Sequence, residues 1–270
     1  MYKGDNMKIK TIVILLLLLG SVEVYANTPE LKLLMCNDSL PYNEGRFFII
    51  PKMGLFIQND NEIVALDGEK CSAFRKARLK QRYRCDKFFT EKEKLFIQSD
   101  DLVLQMSGDS VNVIIRLEDD NFEVFPVGNG LFSIVTPSIN DAPSSKNDSV
   151  LFLWSIYNAN SDTLIVQHAF VDPITEILSP IPNCYLIATG NSVLLVDSGK
   201  ILSLAKAEMP IYSLAIIEKD IYFSTEKAVY RLCEDGYSYP IIVGGIHNMY
   251  ADQRRMYLVM KDGNIYFMDL

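Results

Sequence analysis

Six look-alike segments, the lack of any long stretch with a helical period, and a spare strand near the front of the chain predict an all-β fold. The architecture they point to is a six-bladed β-propeller of four-stranded antiparallel blades over residues 27–270, with the ring closed by the N-terminal strand.

Each segment carries an apolar residue, an aromatic, a short apolar strand, a polar turn and a second apolar strand. The first two read Leu55-Phe56-Ile57 with Ile63-Val64-Ala65-Leu66, and Leu95-Phe96-Ile97 with Leu102-Val103-Leu104. The third pairs Leu131-Phe132 with Val150-Leu151-Phe152-Leu153, and the fourth pairs Cys184-Tyr185-Leu186 with Val193-Leu194-Leu195-Val196. The last two are Ile221-Tyr222-Phe223 with Ala228-Val229-Tyr230, and Met256-Tyr257-Leu258 with Ile265-Tyr266-Phe267. First positions are spaced by 40, 36, 53, 37 and 35 residues, and the long interval holds a polar run, Pro137 to Ser149, that reads as a loop.

Turn residues recur after the second strand, at Asp67-Gly68, Ser107-Gly108-Asp109, Asn160-Ser161-Asp162, Asp197-Ser198-Gly199 and Asp235-Gly236. Each unit has room for two more strands. An outer one is expected at Lys200 to Ala205 and Ser238 to Val243, and an inner one at Ile211 to Ile217 and Phe122 to Val127. A lone four-stranded sheet cannot bury both apolar faces, but sheets packed around an axis bury them against their neighbours. The sixth unit reads as lacking its outer strand, and Leu31 to Cys36 is the segment expected to fill it.

This repeat resembles six-bladed propeller families of the NHL and TolB-like kind, in which an aromatic-bearing second strand, a third strand and an Asp-x-Gly type turn recur. Asp67-Gly68 and Asp235-Gly236 match that turn most closely. The resemblance implies ligand or protein binding on the ring faces.

Ahead of the repeats, Lys8 and Lys10 precede the apolar run Thr11 to Leu19, followed by Gly20, Ser21, Val24 and Ala26. That order is expected of a secretory signal peptide over residues 1–26, with Met7 a second candidate start and an uncleaved anchor the alternative. The run is short of the roughly 20 apolar residues of a spanning helix, so no transmembrane span is expected after cleavage. A periplasmic or secreted location follows.

Without residues 1–26 the chain holds 23 cations and 32 anions. That acidic balance disfavours a nucleic-acid partner. The five cysteines Cys36, Cys71, Cys85, Cys184 and Cys233 form no Cys-x-x-Cys. An oxidising compartment permits bridges, Cys71 with Cys85 for instance, while small buried thiols are the plainer reading.

Catalytic signatures are scarce. His168 and His247 lie in different repeats without metal-ligand spacing, and His247, beside Gly244-Gly245 where an inner strand begins, is the better binding candidate. Ser203-Leu204-Ala205-Lys206 matches a serine acyl-enzyme string, but on a predicted strand and without its companions. Phosphate-binding glycine loops and nucleophile elbows do not occur, and no cofactor or metal site is expected. Asp100-Asp101 and Asp119-Asp120 read as solvated turn carboxylates.

One cluster stands out. Lys76, Arg78, Lys80, Arg82 and Arg84 alternate with Ala77, Leu79, Gln81 and Tyr83, with Arg75 and Lys87 nearby. On an extended strand they form one basic stripe, suited to an anionic glycan, a headgroup or an acidic protein. The alternative is a solvated edge whose charges deter pairing. Finally, Asp38-Ser39-Leu40, Asp109-Ser110-Val111, Asp148-Ser149-Val150 and Asp162-Thr163-Leu164 share an acid, hydroxyl, aliphatic order. It looks like an O-glycosylation acceptor motif of some Gram-negative bacteria, and also like an ordinary turn-to-strand junction.

Three functions remain open: a non-catalytic protein-interaction or scaffold module of the bacterial envelope, a carbohydrate-binding or sensing propeller, and a glycan lyase or hydrolase. The site would be a ring face in each case.

Overall fold

The computed structural model describes residues 30–35, 46–50, 54–59, 62–65, 87–91, 94–107, 110–117, 121–139, 150–233, 236–251 and 255–269. Among the described residues every regular element is a β-strand. The chain forms two compact units, one from Asp38 to Ile177, the other from Leu178 to Leu270 together with the residues up to Asn37. The first described strand, β1 (Lys32–Met35), belongs to the second unit.

The unit from Asp38 to Ile177 holds three antiparallel sheets. The first has strands β2 (Arg46–Ile50), β3 (Gly54–Asn59) and β4 (Glu62–Ala65) in that order. Next comes β5 (Lys87–Glu91), β6 (Lys94–Ser99), β7 (Leu102–Ser107) and β8 (Ser110–Arg116). The third is β9 (Glu123–Gly128), β10 (Leu131–Ile139), β11 (Val150–Asn158) and β12 (Thr163–Phe170), with β12 outermost.

The other unit also contains three sheets. Strand β13 (Ile174–Ile181), of which the part from Leu178 belongs here, leads into β14 (Cys184–Thr189), β15 (Ser192–Asp197) and β16 (Lys200–Lys206). Then follow β17 (Ile211–Ile217), β18 (Asp220–Thr225), β19 (Ala228–Leu232) and β20 (Ser238–Val243). The last sheet joins β21 (Ile246–Ala251), β22 (Arg255–Met260) and β23 (Ile265–Asp269) to β1, in the order β1-β23-β22-β21. Lys32 faces Phe267, Leu33 faces Tyr266 and Met35 faces Ile265. The expected leftover strand is thus paired with the last strand.

Each of the six repeat aromatics falls on the second strand of its sheet, and none is more than 7% exposed: Phe56, Phe96, Phe132, Tyr185, Tyr222 and Tyr257. The repeat is therefore a packing signal. Between the β5–β8 and β9–β12 sheets, Phe132 stands edge-on to Phe96 at 5.3 Å and to Phe89 at 6.4 Å between ring centroids. Trp154 is buried in the same sheet as Phe132, its indole N–H donating to Ser133 Oγ at 3.2 Å. In the other unit Cys184, Leu186 and Leu195 pack with Leu214, Phe223 and Leu232 of the next sheet. Ala215, Tyr222 and Val229 pack in turn with Met249, Met256 and Leu258. Within each unit these neighbouring sheets shelter one another's apolar faces, as blades should.

The buried hydroxyl of Ser213 on inner strand β17 links its own sheet to the next. Ser213 Oγ and Ser224 Oγ lie 2.6 Å apart, and Met249 N–H of the next inner strand donates to Ser213 Oγ at 3.1 Å. The β15–β16 hairpin turns at Ser198 (φ 49°) and Gly199 (φ 77°), both left-handed as a two-residue hairpin of primed type requires. In the β11–β12 turn Asp162 itself takes positive φ (52°).

Two expectations are corrected. Six four-stranded blades were expected; five are present among the described residues, and the β2-β3-β4 sheet has three strands. Residues 66–86, which include the basic stripe, lie outside the described residues. Pro137, Ser138 and Ile139 belong not to a loop but to β10, facing Phe152, Leu151 and Val150. The polar composition that suggested a loop is offset here by an apolar partner strand. Residues 140–149 and 1–29 are outside the described residues. Among the described residues no helix is long and apolar enough to cross a membrane.

Candidate functional site

The sheets present a recurring edge where inner strands begin and where the turns between second and third strands lie. In the unit from Leu178 onward, backbone hydrogen bonds stitch two of these turns to the start of the next inner strand. Ile211 N–H donates to Gly190 O at 2.8 Å, and Ile246 N–H to Glu226 O at 2.9 Å. Ala207 N–H donates to Asn191 O at 2.8 Å and Gly244 N–H to Lys227 O at 2.9 Å. Side chains on such an edge are held by rigid strands.

In the unit from Leu178 onward, this edge carries Tyr212, Glu226, His247 and Lys261. Lys261 Nζ pairs with Glu226 Oε1. That hydrogen bond and the lysine charge lower the Glu226 carboxyl below its ordinary value, and the Tyr212 hydroxyl contributes a further hydrogen bond. The register of β21 against β22 shifts between Ile246 and Asn248, so His247 is the extra residue of a bulge. It is exposed there. Tyr212 occupies the same place on β17, where the register shifts between Ile211 and Ser213. Bulges of this kind re-aim a side chain, and the same strand position is re-aimed in two successive sheets.

In the unit ending at Ile177 the inner strands bring together Lys87, Glu123, Phe125 and Glu176. Lys87 opens β5, and its Nζ lies 3.1 Å from Glu123 Oε2 and 3.2 Å from Val124 O. It also sits 4.2 Å from the centroid of the Phe125 ring. Directly across from Lys87 is Gln98, buried, whose Nε2 donates to Phe122 O at 2.5 Å while its Oε1 is buried without a protein partner. Desolvation pushes the Glu176 carboxyl up to about 7, with Glu123 adding to the rise and Lys87 and the Ile177 backbone opposing it. A carboxyl titrating near neutrality beside a lysine can both accept and donate protons.

A third polar group lies at the start of β18, where Arg231 Nη2 is 2.7 Å from Asp220 Oδ2. Burial first, then the Asp220 charge, pushes the Tyr222 hydroxyl up to about 12. This clasp braces the β18–β19 pair.

Of the sequence-derived candidates, Lys76, Arg78, Lys80, Arg82 and Arg84 lie outside the described residues, and His247 is the one that falls on the described inner-strand edge. His168 lies on outer strand β12, exposed, with its ring 4.8 Å from that of Phe170. Ser203 and Lys206 lie along exposed strand β16, not on a helix turn that would set them together. Cys184 is a buried thiol, pushed up to about 11 by desolvation and then by Asp197. Cys36, Cys71 and Cys85 lie outside the described residues. Among the described residues no group of three or more His, Cys, Asp or Glu comes together as a metal ion would need. Tyr212, Glu226, Lys261, Gln98, Glu123 and Glu176 were missed by sequence reasoning. Their shared signal is position, at or near an inner-strand start or an adjoining turn of successive repeats.

No protein-family model matches the sequence, and none of the curated proteins does. Solved structures do. The extracellular domain of BT4673 from B. thetaiotaomicron, assigned to a one-component system, is 14% identical with a TM-score of 0.57, over 82% of this chain and 32% of that one. A gluconolactonase from Xanthomonas campestris is 12% identical with a TM-score of 0.54, over 80% of this chain and 82% of its own. PorZ, a surface component of the type-IX secretion system of Porphyromonas gingivalis, is 11% identical with a TM-score of 0.52, over 88% and 34%. The chain thus spans about a third of the first and last of these. At such identities the likeness is one of fold, and the fold is a β-propeller.

Proposed function

We propose that the chain is an exported six-bladed β-propeller of the NHL or TolB-like pattern, its ring closed by β1, that acts as a non-catalytic interaction module of the bacterial envelope. The observation that carries this reading is how the polar side chains of the inner-strand edge are engaged. Lys261 holds Glu226, and Lys87 holds Glu123 and a backbone carbonyl. Groups paired in this way build a rigid rim for a partner and are not left as nucleophiles. The extracellular and surface settings of two similar structures support an envelope location. On this reading the basic residues Lys76, Arg78, Lys80, Arg82 and Arg84, with His247, contact an anionic partner on a ring face.

The test installs a photo-crosslinking residue at His247 in the full chain in its native envelope, with Leu202 on outer strand β16 as the control position. One defined adduct from His247 and none from Leu202 is expected. Reversing all five basic residues to glutamate should lower the yield at least tenfold. No adduct at His247, together with hydrolysis of an aldonolactone by the purified chain, would contradict the reading.

A second reading, a glycan-binding or sensing propeller, is favoured by one feature: Lys87 lies over the Phe125 ring and pairs with Glu123, and both charges act on the buried carboxyl of Glu176. A glycan array separates the two. Saturable binding that Glu176→Gln weakens would favour the sugar.

A further inference from the structure

The acid, hydroxyl, aliphatic string recurs four times, and the Asp162-Thr163-Leu164 copy is described in full. Thr163 is the first residue of β12 and Ser110 the first of β8, while Ser149 directly precedes β11. At Thr163 the hydroxyl therefore sits where the β11–β12 turn ends and the chain becomes extended. At the described copy Asp162, Thr163 and Leu164 are all exposed, Leu164 by 50% and the following Ile165 by 60%. Strand β12 is the outermost of its sheet. An edge strand can take up a further strand by main-chain hydrogen bonds, the way many enzymes grip an extended peptide. Asp162 is held in place, accepting the Tyr157 hydroxyl at 2.6 Å with φ at 52°.

We propose that Thr163 is an acceptor for O-linked glycosylation, read by a transferase through the carboxylate of Asp162, the extended β12 edge and the exposed Leu164. The donor is a polyprenyl-diphosphate-linked oligosaccharide. Thr163 Oγ bonds to the anomeric carbon, the bond from that carbon to the diphosphate oxygen breaks, and the lipid diphosphate leaves with the electron pair. The hydroxyl proton passes to a base of the transferase. Thr163 Oγ1 lies 2.8 Å from Ser161 Oγ, a solvent-facing contact that sugar addition can replace.

The test sends the full chain, behind a supplied signal peptide, to the periplasm of a Gram-negative host with general O-glycosylation, and of one without it. Supplying the signal separates this proposal from the export reading it rests on. Tandem mass spectrometry of the peptide carrying Thr163 is expected to show a glycan mass addition in the first host alone. Asp162→Asn keeps both the left-handed tolerance and an oxygen for Tyr157, so it should melt as the unmodified protein does and lose the addition. Thr163→Val should lose it too, and Thr163→Ser should keep it. A bare Thr163 peptide in the glycosylating host, or an addition that survives Asp162→Asn, overturns the proposal.

Discussion

Phe132→Ala is expected to lower the stability of the protein by about 3–5 kcal/mol, as truncation of a buried aromatic does. The ring is 1% exposed and lies against Phe89 and Phe96 of the preceding sheet as well as within its own. Its loss removes transfer free energy and leaves a cavity that rigid, strand-borne neighbours cannot close. Equilibrium denaturation in urea measures the change. Phe132→Leu, which keeps most of the volume, should cost about half as much or less. A loss below about 1 kcal/mol for the alanine variant would mean that the aromatic of the repeat is not what binds one sheet to the next.

The stability of the wild-type protein should fall as pH rises from about 5 to 8, and Glu176→Gln should flatten that slope. The carboxyl of Glu176 is pushed from an ordinary 4.5 to about 7, chiefly by desolvation. Between those two values the folded chain keeps a proton that the unfolded chain has released. The folded state therefore binds more protons there, and stability declines with rising pH until the folded carboxyl has ionised. The effect is on the order of 2–3 kcal/mol. At pH 8 the glutamine variant, which carries no charge to desolvate, should exceed the wild type by that order; at pH 4.5 the two should nearly coincide. Thermal melts of both proteins at pH 5 and 8 provide the measurement. A wild type more stable at pH 8, with a destabilised glutamine variant, would mean that the attraction of Lys87 outweighs burial at this carboxyl.

The repeat was legible because burial imposes the same demand on the same strand of every sheet. An aromatic at the second position is what the interior between two blades selects, so Phe56, Phe96, Phe132, Tyr185, Tyr222 and Tyr257 mark six sheets without any long-range information. Strand β17 and strand β20 fall on Ile211–Ile217 and Ser238–Val243 as expected, since both are bounded by turn residues. The leftover strand was legible through the same logic, as β1 pairs with β23. Pro137 misled because proline and serine usually mark loops, yet the chain there stays extended opposite Phe152. The candidate site was mostly hidden. Glu123 and Glu176 are 53 residues apart in sequence, and each reads alone as a solvated strand residue. Only the folded chain gives them a shared lysine, and no local pattern encodes that. His247 was visible because Gly244-Gly245 announced a strand start; the bulge that turns it outward was not.

The pairing of the front of the chain with its last strand is the feature on which the propeller account depends most. It is tested by placing cysteines at Leu33 and Tyr266, which face one another across β1 and β23, in a chain whose own five cysteines are replaced by serine or alanine. Directly opposed residues of an antiparallel pair lie within reach of a disulfide, with Cα atoms about 4.5–5.5 Å apart. Mild oxidation of the folded double variant should form the bond quantitatively, seen as a loss of two hydrogens by mass, and raise the melting temperature. Two thiols that stay reduced in a folded protein, or a bond that forms only after denaturation, would show that β1 docks elsewhere.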